Sequence, residues 1–310
     1  MSFLSLAFIY NRIVERENFE TFIAFIHEKI TATHAGYYLV VVALLMFVNY
    51  GIEAMKWKLL ISHLSELKLL KSMQAIFLGT TISFFTPNRV GEFAGRILFL
   101  QARVRIQAVL STFVGSISQL LATIVLGIVS ISLFARYYLD ISSTQQTLLF
   151  VLSILVSVFL LWFFPRIKNV FSLKLFSRLR TKYPDYINVF ESYTKRELWN
   201  IFGLSLLRYI IFSWQYILLL QVCGVDLPLW IFAISISIIF FLQAIIPSIA
   251  FTELAFRGSL AVLVMHKFTY EQNGIIAASF GLWLVNLALP AAIGSLMFLY
   301  FKFKNKNSEA

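Results

Sequence analysis

Long apolar blocks separated by short charged segments set the pattern of this chain. They fall at 37–55, 107–135, 146–164, 201–222, 227–247 and 274–301. Several reach the roughly 20 residues that a helix needs to cross a hydrocarbon core. Alternation with a period of two, which a membrane barrel requires, is absent, so the blocks predict helices. Proline interrupts the apolar pattern twice, within 73–103 and within 227–267. The first break reads Thr86-Pro87-Asn88-Arg89-Val90-Gly91-Glu92-Phe93-Ala94-Gly95-Arg96. The second reads Ile246-Pro247-Ser248-Ile249-Ala250-Phe251-Thr252-Glu253-Leu254-Ala255-Phe256-Arg257-Gly258. Both run apolar helix, proline, a short polar or small stretch, glutamate, and arginine four residues later. Proline ends a helix by removing a donor and restricting the residue before it. Pro87, Asn88, Gly91, Pro247 and Ser248 are the break and capping positions, with Asn88 and Ser248 suited to cap a new helix. A Glu and an Arg four apart share one face of that helix.

Composition and charge make the segments membrane spans. Of the residues 59% are hydrophobic and 13% charged, with a mean hydropathy of +0.81. A soluble domain carries about 25% charged residues, so a water-soluble fold is excluded. The net charge of +11 sits in short segments flanking the apolar blocks, which is a topology signal and not a nucleic-acid surface. Placing Lys56, Lys58, Lys68 and Lys71 inside, with Arg103, Arg105, the basic loop and the Lys-rich tail, puts seventeen of the 26 Lys and Arg on the cytoplasmic side. Arg12, Arg16, Lys29, Arg136 and Lys267 fall outside, and Arg89, Arg96, Arg208 and Arg257 lie within apolar stretches. The two proline-broken regions then enter and leave on the same side. Each is a re-entrant or two-crossing hairpin.

The order span, hairpin, span therefore occurs twice. The expected architecture is an all-α polytopic membrane bundle forming one transmembrane domain over 1–310. An N-terminal stub and amphipathic segment (1–36) precede the first repeat (37–135). A linking helix (146–164) and a basic cytoplasmic loop (165–200) lead to a second repeat of inverted topology (201–301) and a cytoplasmic tail (302–310). Inverted repeats with broken helices are a recurrent transporter plan. Met1–Tyr10 reads as a helix stub and not as a signal peptide, since it has no basic n-region and no cleavage site.

The first break also carries a resemblance. Thr86–Arg96, preceded by Phe77-Leu78-Gly79-Thr80-Thr81-Ile82-Ser83-Phe84-Phe85, resembles the Pro-Gly-Glu motif of a flippase-like family. That family includes the membrane region of bacterial lysylphosphatidylglycerol synthases. Glu53-Ala54-Met55-Lys56-Trp57-Lys58 is similar to the segment that ends the preceding helix there. The second break departs from the motif, with Ile249-Ala250-Phe251 where glycines are often found. The synthases' soluble aminoacyl-transferase domain has no counterpart in these residues. The resemblance thus implies lipid translocation and not lipid synthesis, in the cytoplasmic (inner) membrane of a bacterium.

A candidate site follows from the charges. An ionic side chain deep in a bilayer costs at least about 2.5–3.5 kcal/mol and usually has a task. If the hairpin tips meet, Arg89, Glu92, Arg96, Glu253 and Arg257 form a substrate-binding pocket for the phosphate of a lipid or lipid-linked headgroup. Arginine's planar fork suits a phosphodiester. The competing reading makes Glu92–Arg96 and Glu253–Arg257 structural pairs, which a charge exchange would preserve. Arg208 reads as snorkelling to the cytoplasmic interface. Asn286 reads as a helix-packing polar residue, and Trp57, Trp162, Trp199 and Trp230 as an aromatic belt. The basic loop, with Phe171, Leu173, Leu175, Phe176 and Leu179, reads as interfacial.

No nucleotide-binding, zinc-hydrolase or nucleophile-elbow motif is present, so no cofactor, metal or catalytic residue is expected. One cysteine, Cys223, excludes an internal disulfide framework. Two other functions stay open: an intramembrane enzyme acting on headgroups, and a non-transporting scaffold for a partner lipid synthase. Partners are membrane lipid, with a second copy of the chain or such a synthase as protein partners, and no nucleic acid.

Overall fold

The structure, a computed structural model, describes residues 16–32, 35–86, 90–166, 181–182, 184–246 and 250–308; of 16–19, 187, 250–255 and 301–308 it describes the backbone alone. The described residues form helices and no strand. In chain order these are α1 (Arg16–Thr31), α2 (Ala35–Leu60), α3 (Leu69–Phe84), α4 (Gly91–Arg96), α5 (Arg105–Tyr138) and α6 (Ser143–Phe163). Then follow α7 (Pro184–Glu191), α8 (Lys195–Val222), α9 (Leu229–Ile245), α10 (Ala250–Met265), α11 (Gln272–Trp283) and α12 (Leu289–Ser308), the last two joined by a π-helical turn at Leu284–Ala288. Among the described residues, five stretches are long and apolar enough to cross a membrane: Ala35–Leu60, Ala102–Tyr138, Ser143–Arg166, Lys195–Val222 and Gln272–Tyr300. The protein is an all-α polytopic membrane protein. Capping boxes fix two of the starts, Ser142 with Gln145 for α6 and Thr194 with Glu197 for α8.

The two proline-broken regions form shorter helices. α3 has 16 residues and α9 has 17. At 1.5 Å per residue each reaches about 25 Å, less than the roughly 30 Å hydrocarbon core. α4 has only six residues and folds back against α3. The sequence allows this because Gly91 and Gly95 are four apart and face α3. A Cβ on Gly95 would lie 2.3 Å from the Gly79 Cα, and one on Gly91 2.6 Å from the Ile82 carbonyl oxygen. Small residues spaced this way let backbones touch. The first N–H of α4, from Gly91, donates to the Thr86 hydroxyl at 2.8 Å. Pro87, Asn88, Arg89, Pro247 and Ser248 lie outside the described residues, as does the side chain of Glu253. Gly95→Val should therefore loosen the hairpin. Overpacking of this kind costs about 1–3 kcal/mol, so the thermal unfolding of the purified protein should start earlier; an unchanged melt would show that α4 does not depend on this contact.

Packing pairs the halves across one another. α2 and α8 run antiparallel: Gln215 Nε2 donates to the Val42 carbonyl (3.0 Å), Arg208 Nε to Asn49 Oδ1 (2.8 Å), and the Tyr193 hydroxyl to the Leu60 carbonyl (2.7 Å). α3 packs on α12, where the Thr81 hydroxyl donates to the Ala291 carbonyl (2.8 Å). A Cβ on Gly294 would come within 2.3 Å of that same hydroxyl. α9 packs on α5, where a Cβ on Gly127 would lie 2.4 Å from the Phe241 Cβ. With Pro87 set beside Pro247, Thr81 and Phe241 occupy the same position. In both hairpins that position meets a glycine from the last span of the opposite half. The same register pairs Phe77 with Ser237 and Thr80 with Phe240. Tyr50 of α2 stacks on Phe77 (4.9 Å) with its hydroxyl 3.4 Å from Thr80. Tyr209 of α8 donates to Ser237 (2.8 Å) and sits edge-on to Phe240 (5.7 Å).

Two apolar clusters hold the bundle. One is built mainly from α8, α9, α10 and α11, the other from α2, α3, the first half of α5 and the start of α8; Val285 touches both. Two expectations change. Lys56, assigned to the cytoplasmic surface, is buried, and Trp57, assigned to the aromatic belt, is fully buried beneath Arg96. Trp162, Trp199 and Trp230 are exposed as belt residues would be. The apolar residues named in the basic loop fall outside the described residues, but Val189, Phe190 and Tyr193 at its end are buried in the second cluster.

Candidate functional site

One face of α2 presents Asn49, Glu53, Lys56 and Trp57, spaced three and four apart, so a polar stripe runs along an otherwise apolar span. Glu53 anchors it. Lys56 Nζ lies 2.7 Å from one carboxylate oxygen and an Arg96 Nη 2.7 Å from the other, while Arg208 also pairs with Glu53. Arg96 in turn pairs with Glu92, four residues before it. The side chains of Glu53, Lys56 and Arg96 are each 4% exposed or less. The Trp57 ring lies 5.8 Å from the Arg96 guanidinium, within cation–π range. Burying a charge is costly unless it is paired and hydrogen-bonded, and this cluster meets that condition.

Beside the cluster opens a cavity of about 380 Å³. Its ionic wall is Glu53, Glu92, Arg208 and Arg257, contributed by α2, α4, α8 and α10. Thr80, Ser83, Gln119, Thr123 and Gln243 add hydroxyl and amide groups, and Phe212, Phe240 and Trp283 an aromatic side. Glu92 and Arg257, one from each hairpin, thus line a single cavity. Arg96 lies behind that wall, held by both carboxylates. Counting the described ionic groups of cluster and cavity, four cations (Lys56, Arg96, Arg208, Arg257) face two carboxylates (Glu53, Glu92).

Asn286 also lines the cavity, from the π-helical turn. Pro290 has no N–H to give the carbonyl four residues earlier, and the Tyr50 hydroxyl donates to that Asn286 carbonyl instead, at 2.9 Å. Single π-turns inside helices occur frequently at functional sites. Among the described residues no group of three or more His, Cys, Asp or Glu could hold a metal ion.

The family described as Lysylphosphatidylglycerol synthase TM region matches residues 21–294, from α1 into α12. The chain belongs to this family. The matched stretch takes in both hairpins and every ionic side chain of the cavity. No curated protein and no solved structure matches the chain. In this member of the lysylphosphatidylglycerol synthase TM-region family, Glu53 joins the halves, since it holds Arg96 from the first hairpin and Arg208 from the second half. Arg208 does not snorkel. It sits at the middle of the 28-residue α8, about 20 Å from either end, and turns into the bundle to meet Glu53 and Asn49. Glu53, Lys56 and Arg208 are functional-site candidates that the sequence reading placed at helix ends. The signal that could have found them is the spacing of Asn49, Glu53 and Lys56 within one span.

Proposed function

We propose that this protein moves a membrane lipid or lipid-linked headgroup between leaflets, with the headgroup passing through the cavity and no covalent change to it. One observation carries the reading: a polar, ion-lined cavity where two broken hairpins meet, inside a bundle of helices long enough to span a membrane. Lipid tails stay in the bilayer while a polar headgroup needs a hydrated, charge-bearing path across it, and such intramembrane ions mark substrate pathways.

The halves fit inverted repeats. Tyr50 and Tyr209 make matched contacts, so Asn49 and Arg208, one residue before each, are equivalent positions. They hydrogen-bond to each other, as positions on a two-fold axis do. The two helices run antiparallel, so the axis lies across them, in the plane of the membrane. Transporters of this plan alternate by rocking one half against the other around a fixed site. Glu92, whose side chain is 36% exposed, is the cavity carboxylate placed to exchange a proton during such a cycle. Placing residues 165–200 and the tail on the cytoplasmic side rests on the Lys and Arg distribution, which keeps the same sign after Lys56 is removed from it.

The test is leaflet accessibility in proteoliposomes with fluorescent anionic, zwitterionic and amino-headgroup lipids. Translocation faster than in protein-free vesicles for at least one headgroup is the expected result. Rates equal to protein-free vesicles for every lipid, with and without a proton gradient, would remove the reading and favour a headgroup-modifying enzyme or a scaffold.

A further inference from the structure

The arginine that ends the first proline motif is not free to meet a substrate. Arg96 is buried behind the cavity wall, held by Glu53 from α2 and Glu92 from its own helix. Arg208 is placed differently. It lies at the middle of α8, lines the cavity, and has a side chain that is 25% exposed. Two partners from α2 fix the orientation of its guanidinium: Nε donates to Asn49 Oδ1 (2.8 Å) and Nη1 pairs with Glu53. The third nitrogen, Nη2, has no hydrogen-bond partner among the described residues. Glu53 does not depend on Arg208 alone, since Lys56 and Arg96 also neutralise it. An arginine already held on two nitrogens loses little side-chain freedom when a ligand takes the third.

Resting on the translocation reading above, we infer that Arg208 receives the phosphate of the headgroup, with Asn49 as the positioning residue that holds it for that task. Nη2 donates to a phosphate oxygen in a charge-assisted bond, roughly twice as strong as a neutral one. The location agrees with the chemistry. Asn49 and Arg208 are the equivalent positions at which α2 and α8 meet on the two-fold axis. Transporters built from inverted repeats bind their substrate at the repeat interface near the middle of the membrane. A guanidinium at the centre of α8 lies equally far from both membrane faces, so one residue serves both openings. One half supplies the amide at that position and the other the charge. The ligand class is a lipid phosphate ester, zwitterionic or anionic, because the group recognised is the phosphate and not what is esterified to it.

Binding to the purified protein tests this without translocation. Native mass spectrometry would compare dihexanoyl-phosphatidylglycerol, dihexanoyl-phosphatidylcholine, dihexanoylglycerol, which lacks the phosphate, and inorganic phosphate. Both phospholipids are expected to bind about 10-fold or more tighter than dihexanoylglycerol. Arg208→Gln should remove that ratio, and Asn49→Leu should lower it about 3-fold or more. A purely structural role would weaken all the lipids together and leave the ratio unchanged. Should Arg208→Gln fail to fold, Arg208→Lys keeps a charge against Glu53 while losing the planar fork, and should retain only part of the ratio. A wild type with no preference for the phospholipids, or a wild-type ratio in the folded Arg208 variant, would overturn the inference. A wild-type ratio in Asn49→Leu would overturn the positioning role. Inorganic phosphate that displaces dihexanoyl-phosphatidylglycerol at equal concentration would assign the site to a free anion and overturn the headgroup. A leaflet assay without movement beside an Arg208-dependent ratio would instead remove translocation and leave the phosphate site standing.

Discussion

Replacing Glu53 by alanine is expected to cost the protein most of its stability. Three cations share that carboxylate, and two of them, Lys56 and Arg96, have side chains that are 2% and 4% exposed. Breaking a buried pair by removing one partner typically costs about 3–5 kcal/mol, because the remaining charge is stranded away from water. Here the remaining charges are several, against a whole-protein stability on the order of 5–15 kcal/mol. Arg96 would keep Glu92, and Arg208 would keep Asn49, but among the described residues Glu53 is the one acid that Lys56 pairs with. Coupling the change to Lys56→Met should recover part of the loss, since removing both members of a buried pair is far less costly than removing one. Thermal unfolding of the detergent-purified proteins checks both. A Glu53→Ala protein that melts with the wild type would show that Glu53 does not tie the halves together.

Glu92→Gln is expected to do the reverse, preserving the fold and stopping transport. Its side chain is 36% exposed, so the pair with Arg96 is partly screened and contributes modestly to stability. Arg96 retains Glu53 when Glu92 is neutralised. The cavity, however, loses a negative charge and, with it, the carboxylate proposed to carry the proton of the transport cycle. Translocation should fall on the order of 10-fold or more, equivalent to at least about 1.4 kcal/mol on the barrier. Wild-type rates in this variant would assign Glu92 to structure alone. The exchange Glu92→Arg with Arg96→Glu, which the sequence suggested as a way to separate a structural pair from a binding site, does not separate them. It would set a second carboxylate against Glu53, and loss of the fold would mask any effect on binding.

The bundle, the two hairpins and the pairing of Glu92 with Arg96 were legible from periodicity, proline and spacing, because each is a local property of the chain. The ionic cluster was not. Glu53 and Lys56 lie near the end of an apolar block and Arg208 inside another, and a charge near a block's end reads first as interfacial. Only the antiparallel contact between α2 and α8 brings Arg208 onto Asn49 and Glu53. Trp57 was misplaced for the same reason, since burial beneath Arg96 depends on where α4 folds back. The fold-back itself was written in the sequence as Gly91 and Gly95, but the partner glycine, Gly79, lies on a different helix. Spacing along one segment reveals a face, and what that face meets is set by the rest of the chain.

Plugging the cavity tests the proposed path most directly. Gln243 lines the cavity near the end of α9, and Cys223, the single cysteine, is not among the cavity-lining residues. A Gln243→Cys protein in a Cys223→Ser background should move its lipid at close to the wild-type rate. After labelling with a bulky charged methanethiosulfonate reagent, movement should drop to that of protein-free vesicles and return when a reductant removes the label. Undiminished translocation by a fully labelled protein would contradict passage of the headgroup through this cavity.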